Sequence, residues 1–233
     1  MLSINAFTKV FLESVAATLI FALIAIVSFA ALEPVISHAQ AATSQFTTKQ
    51  TITAEISFLT AASNIVMSPS IGGITGGAAT GTTQVVVYTN NTTGYTMTIA
   101  ASGTPSMRGE AAGGSFNDYA PASAGVPDFT FSTAGTAGKF GFSVSASATA
   151  DLAQKFLDNG TTCNTGAANT GSASCWTFAS TTATSTIVTA AQTSVSGSTS
   201  TIIMHTNVPS NPNPTLPKDT YTATTTLTAT TNP

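Results

Sequence analysis

The chain has 233 residues, only 6% of them charged, with a formal net charge of −3 at neutral pH. Beyond Ala41 there are five Lys or Arg residues against seven Asp or Glu. No basic stripe is present to neutralise phosphates, which excludes nucleic acid and anionic membrane surfaces as partners of the main body. A hydrophobic content of 42%, with 13 phenylalanines, excludes wholesale disorder despite the abundance of Ser and Thr.

The first signal in chain order is the unbroken apolar run VAATLIFALIAIVSFAAL at residues 15–32, preceded by Lys9 as its positive flank. Glu33 and Pro34 stop a helix, and Ala39-Gln40-Ala41 is a small-x-small peptidase site. Residues 1–41 therefore read as a signal peptide cut between Ala41 and Ala42, and the product as extracellular or surface-held, exported by the general secretory route. The alternative is an uncleaved anchor, in which this segment is the chain's one membrane contact, since such a run sits at the lower edge of what spans about 30 Å of hydrocarbon. A pilin-type leader, suggested by Phe7-Thr8 and Glu13, fails because the acidic residue lies too far from the cut. Residues 42–50 read as a polar, extended tail, or alternatively as a strand offered to the edge of a neighbouring copy.

Strand signals follow. Ile52, Ala54, Ile56 and Phe58 alternate with Thr51, Thr53, Glu55 and Ser57, the period of two that places one face on a core. The same alternation marks Tyr95, Met97 and Ile99, then Phe129 and Phe131, then Phe140, Phe142 and Val144. It is longest at the end, where the even-numbered threonines from Thr220 to Thr230 oppose Tyr221, Ala223, Leu227 and Ala229. Further strands are expected near Val66-Met67, Ile187-Val188 and Ile202 to Met204. Turn residues at 90–94 and 134–138 predict two hairpins. Two stretches read as loops: the Gly-rich segment at 69–82, and 207–219 with its four prolines. The spacing of Asp151 and Gln154 predicts a capped short helix that buries Phe156 and Leu157 and stops at Asn159-Gly160. The sum is an all-β protein: one antiparallel β-sandwich over 42–233, Ig-like or jelly-roll-like, with 8–10 strands and a helix and cysteine-loop insertion at about 150–176.

Candidate chemistry is sparse. Cys163 and Cys175 flank a small, flexible stretch and predict a disulfide in an exported chain. His205, the one histidine beyond Ala41, sits among alternating apolar neighbours and reads as a strand residue with one satisfied nitrogen rather than as a catalytic base. No local spacing singles out a pair among Glu55, Glu110, Asp118, Asp128, Asp151, Asp158 and Asp219 for glycoside chemistry. IGGITGGAATG lacks the Lys-Ser/Thr ending of a phosphate loop, and Asp158-Asn159-Gly160 lacks the further oxygens of a calcium loop. No catalytic, cofactor or metal residues are assigned, and no cofactor is expected. Trp176, Phe116 and Tyr119 are the candidate ligand-facing aromatics. The plainer reading packs Trp176 on the disulfide and uses the other two to pin a loop.

Two segments, VVVYTNNTTGYTMTIAAS at 85–102 and DTYTATTTLTATTNP at 219–233, resemble the signature regions of WxL-type bacterial cell-surface domains. Tyr95 stands where the first signature Trp falls and Leu227 near the second, so both tryptophans are absent. The resemblance implies a surface-associated β-sandwich and cell-wall association. Taken with the composition, it points to a non-enzymatic extracellular or cell-surface structural protein, partnered by cell-wall glycan, other surface proteins or itself. The competing class is a carbohydrate- or peptidoglycan-binding adhesion module.

Overall fold

The computed structural model describes residues 4–31, 42–169, 174–181 and 184–233. The chain divides into two units, Met1–Gln50 and Thr51–Pro233. In the first, helix α1 (Ile4–Ala31) carries an apolar stretch, Thr8–Phe29, long enough to cross a membrane. Its length and position fit a signal sequence. The helix stop at Glu33-Pro34 and the peptidase motif ending at Ala41 lie outside the described residues. Ala42 and the residues after it up to Gln50 are exposed and have no regular structure.

The second unit is built of β-strands: β1 (Ile56–Thr60), β2 (Gly77–Thr89), β3 (Tyr95–Ala101), β4 (Met107–Gly109), β5 (Asn117–Asp118), β6 (Lys139–Ala146), β7 (Ser185–Ala190), β8 (Ser194–Val208), β9 (Tyr221–Ala223) and β10 (Thr225–Thr231). One sheet has the order β1-β2-β8-β6-β5, a second β10-β3-β7, and β4 pairs β9. Side chains of both larger sheets share one core: Val85 and Val87 of β2, Phe142 and Val144 of β6, and Ile202 and Met204 of β8 lie in the same cluster as Tyr95, Met97 and Ile99 of β3 and Ile187 and Val188 of β7. The period-two pattern is the cause. In β3 every odd-numbered side chain is buried and every even one half-buried. In β9 and β10 Tyr221, Ala223, Leu227 and Ala229 are half-buried, while Thr222, Thr226, Thr228 and Thr230 are exposed.

Several expected elements take a different form. β2 and β3 are no hairpin, because they belong to different sheets; residues 90–94 are an arch that carries the chain across the core. Gly94 makes that turn with φ +79°, and a Cβ there would lie 2.1 Å from the Ala190 carbonyl oxygen. Phe129 and Phe131 lie in irregular chain, so no hairpin leads from them into β6. The C-terminal alternation is split at Thr224: β9 pairs β4 and β10 pairs β3, with Leu227 opposite Ile99. The Gly-rich loop ends early, since residues from Gly77 onward are the first half of β2. The alternation starting at Ile52 enters the ladder only at Ile56; Ile52 is 82% exposed. No strand forms at Val66-Met67.

The expected α-helix is two separate 3-10 turns, Thr149–Asp151 and Gln154–Phe156, with extended backbone at Leu152 and no side-chain cap. A pairing contact explains the break: the Ala153 N–H donates to the Ile187 carbonyl of β7 (3.0 Å), so this stretch covers an edge of the second sheet. The strand set is also not purely antiparallel, because β5 runs parallel to β6.

Candidate functional site

The Thr-Ile-Ile-Met run in β8 is buried on both faces, as befits a strand covered on either side. Ile202 and Met204 point into the main core, and Ile203 points outward into a small cluster with Tyr119, Trp176 and Phe131. This second layer is aromatic. Phe131 lies 4.3 Å from the Tyr119 ring, 5.5 Å from Trp176 and 4.4 Å from His205. Gly141 of β6, opposite His205 in the ladder, lets the layer approach, since a Cβ there would sit 2.8 Å from Tyr119 Cβ.

The three predicted ligand-facing aromatics therefore present no platform. Trp176, Phe116 and Tyr119 are 4%, 6% and 0% exposed. Phe116 stacks edge-on against Tyr221 at 5.2 Å, in the main core. The Tyr119 hydroxyl donates to Asp128 (2.6 Å) and accepts from the Ser132 N–H (2.9 Å). Burial, reinforced by Asp128, pushes this phenol up to about 12. Trp176 also does not sit in the cluster that holds the cysteines; it belongs to the aromatic layer.

His205 lies against the same layer, with the Phe131 and Trp176 rings 4.4 and 5.1 Å from its own. Its Nδ1 is buried without a hydrogen-bond partner among the described residues, and burial holds the imidazole below its ordinary 6.5. Six of the candidate carboxylates are engaged separately. Asp128 accepts from Tyr119 and the Ala122 N–H, Asp118 from Ser106, and Asp151 from Ser198. Asp158 accepts from the Gly160 N–H, Glu110 from Thr222, and Asp219 from the N–H groups of Ala111 and Ala112. Each of these bonds holds a loop or strand end in place. Cys163 and Cys175 are bonded to each other, with Cα atoms 5.6 Å apart, and both are buried in the main core.

A largely apolar groove of about 1430 Å³ borders the main core. One wall is the irregular segment 61–74, with Ile65, Met67 and Ile71; the other is 215–227, with Leu216, Tyr221 and Leu227. Its floor is the core itself, where Ile99, Ile202 and Met204 line it. The rim carries Lys218 and Asp219, and the Ala111 N–H first, with those of Ala112 and Thr220, holds the Asp219 carboxyl below its ordinary range. No local sequence pattern signals the groove. Its walls come from segments with no shared motif, and only the half-buried positions of 221–227 were legible. No family model matches this chain, and no curated protein or solved structure is significantly similar to it.

Proposed function

We propose that this is a non-enzymatic structural protein of the cell surface or extracellular space, an Ig-like or jelly-roll-like sandwich that acts by association with the cell wall or with other proteins. The observation that carries the reading is the contrast between an open apolar groove and a polar inventory committed to the fold. Six carboxylates hold loops or strand ends, the half-buried His205 lies against the Phe131 and Trp176 rings, and the exposed face of β9 and β10 is made of neutral threonine hydroxyls. Such a surface dissolves without charge and offers contact area rather than reactive groups. The exported setting is supported by the apolar N-terminal helix and by a disulfide, which persists in oxidising compartments. The WxL-like reading rests on the two segments that carry the resemblance, residues 85–102 and 219–233.

The carbohydrate-binding alternative loses its aromatic platform to burial. Purified protein incubated with isolated bacterial cell walls is expected to sediment with them; recovery of all the protein as monomer in the supernatant would overturn the wall reading. Mass spectrometry of the exported product is expected to find Ala42 at the N-terminus.

A further inference from the structure

Away from the groove and the aromatic layer, two chemically complementary side chains meet where the second 3-10 turn docks on β7. Lys155, in the turn Gln154–Phe156, donates from Nζ to the hydroxyl oxygen of Ser185, the first residue of β7, at 2.6 Å. Both residues are half-buried. Three features hold them there: Phe156 beside Lys155 is fully buried in the main core, the Ala153 N–H ties the turn to the Ile187 carbonyl at 3.0 Å, and Ser185 lies opposite Ile99 in the β3–β7 ladder. A hydroxyl and an amine within hydrogen-bond reach, each on an ordered element, form the arrangement that activates a serine.

Lys139 makes a different kind of contact. It donates to the Ser132 carbonyl at 3.1 Å, and a carbonyl has no proton to give; the Ser185 hydroxyl has one. An ammonium can only donate, so the amine must be neutral to take that proton, and burial alone lowers the Lys155 value from the ordinary 10.5. The groups packed on Nζ are the Ser185 hydroxyl and the Phe156 ring, whose centroid lies 5.3 Å away. Neither carries a charge that would hold the proton on the lysine as a carboxylate does.

We propose that Ser185 is a nucleophile with Lys155 as its general base, and that it takes up an acyl group from an ester. Oγ attacks the ester carbonyl carbon while its proton passes to Nζ; the bond to the leaving alcohol then breaks, and the proton goes from Nζ to that alcohol's oxygen. Ser185 is left as an O-acyl ester beside a neutral Lys155. One ester bond forms and one breaks, so no oxidant or further co-reactant enters. The flanking Gln154 and Thr184 are exposed, which leaves the pair within reach of an ester arriving from solvent. Uptake of one acyl group per chain goes beyond the surface reading and is independent of it, because association with a wall requires no reactive group.

The test treats the full chain as exported, in mild detergent if the leader is retained, with a fluorophosphonate, which forms an Oγ–P bond and releases fluoride, and maps the adduct by mass spectrometry. A single adduct on Ser185 is expected, at a rate that levels off below pH 10.5. Ser185→Ala is expected to remove it. Lys155→Arg keeps a cation and a donor but supplies no base, and Lys155→Gln removes both; each, read beside its melting temperature, is expected to slow labelling by about 100-fold or more. With p-nitrophenyl acetate, the acetyl group is expected on Ser185 or, after transfer across the contact, on Lys155, and on neither in Ser185→Ala. An unlabelled wild-type Ser185, adducts scattered over exposed Ser and Thr, or equal rates in the wild type and a folded Lys155 variant would each overturn the proposal. Continued nitrophenolate release that depends on Ser185 upholds it and overturns the non-enzymatic reading; cell-wall sedimentation by a protein whose Ser185 stays unlabelled overturns this proposal alone.

Discussion

At the residue scale, Trp176 shows how far a side chain's role depends on what lies over it. Next to a cysteine in a Gly- and Ser-rich stretch it has the look of an exposed aromatic, yet the ring is 4% exposed, edge-on to Phe131. Trp176→Ala is expected to lower stability by about 3–5 kcal/mol in urea titration while leaving wall association of the folded fraction unchanged. His205 belongs to the same layer. Its folded-state value lies below 6.5 because of burial, so between the two values the unfolded chain holds the proton and the folded one does not. Its contribution is therefore complete above pH 6.5 and is lost as pH falls through that value toward the folded one. Melting temperature is expected to decline on acidification over this range, and His205→Phe, which retains the ring contacts, to remove that part of the slope. The cysteines were legible from residue type and spacing alone. Opening the bond by Cys163→Ser with Cys175→Ser is expected to cost about 3 kcal/mol, on the loop-entropy account for so short a loop, read by denaturation of the two forms.

At the scale of elements, alternation identified the face of a strand correctly and its partner poorly. Asn90, Asn91 and Gly94 between Val85 and Tyr95 predict one hairpin for these two segments. The turn residues are present, but the chain uses them to cross from one sheet to the other. What favours the arch is a distant residue: Asn232 donates to the carbonyls of Thr93 (2.8 Å) and Ala190 (3.0 Å), accepts from the Thr96 hydroxyl (2.8 Å), and offers its own carbonyl to Asn91 (2.7 Å). One side chain thus ties the turn to β3 and β7. Asn232→Ala is expected to destabilise by about 1–3 kcal/mol, since it strands partly buried carbonyls. Gly94→Ala is expected to cost more than about 1 kcal/mol because of its positive φ. Hydrogen-exchange protection of β3 and β10 should fall first in both variants. The mistaken helix has a similar origin. Asp151 and Gln154 have capping-box spacing, but Asp151 accepts from Ser198 and the backbone at 153 bonds β7, so tertiary partners outbid the local cap.

At the scale of the whole molecule, a body with 6% charged residues owes little to exposed ion pairs, which are worth about 0–1 kcal/mol each. Raising salt from low to physiological strength is expected to move the melting temperature by less than about 3 °C. By itself the sequence determined the export-type helix, the β class, the bonded cysteines and the inward face of most strands, because each rests on composition or on a period within a few residues. The tertiary structure alone decided which strands pair, where the rings of Trp176, Phe116 and Tyr119 point, and that a groove opens beside β10. Those outcomes depend on contacts between residues up to 141 positions apart, as between Asn91 and Asn232, and no local pattern encodes which of many equally threonine-rich segments will meet.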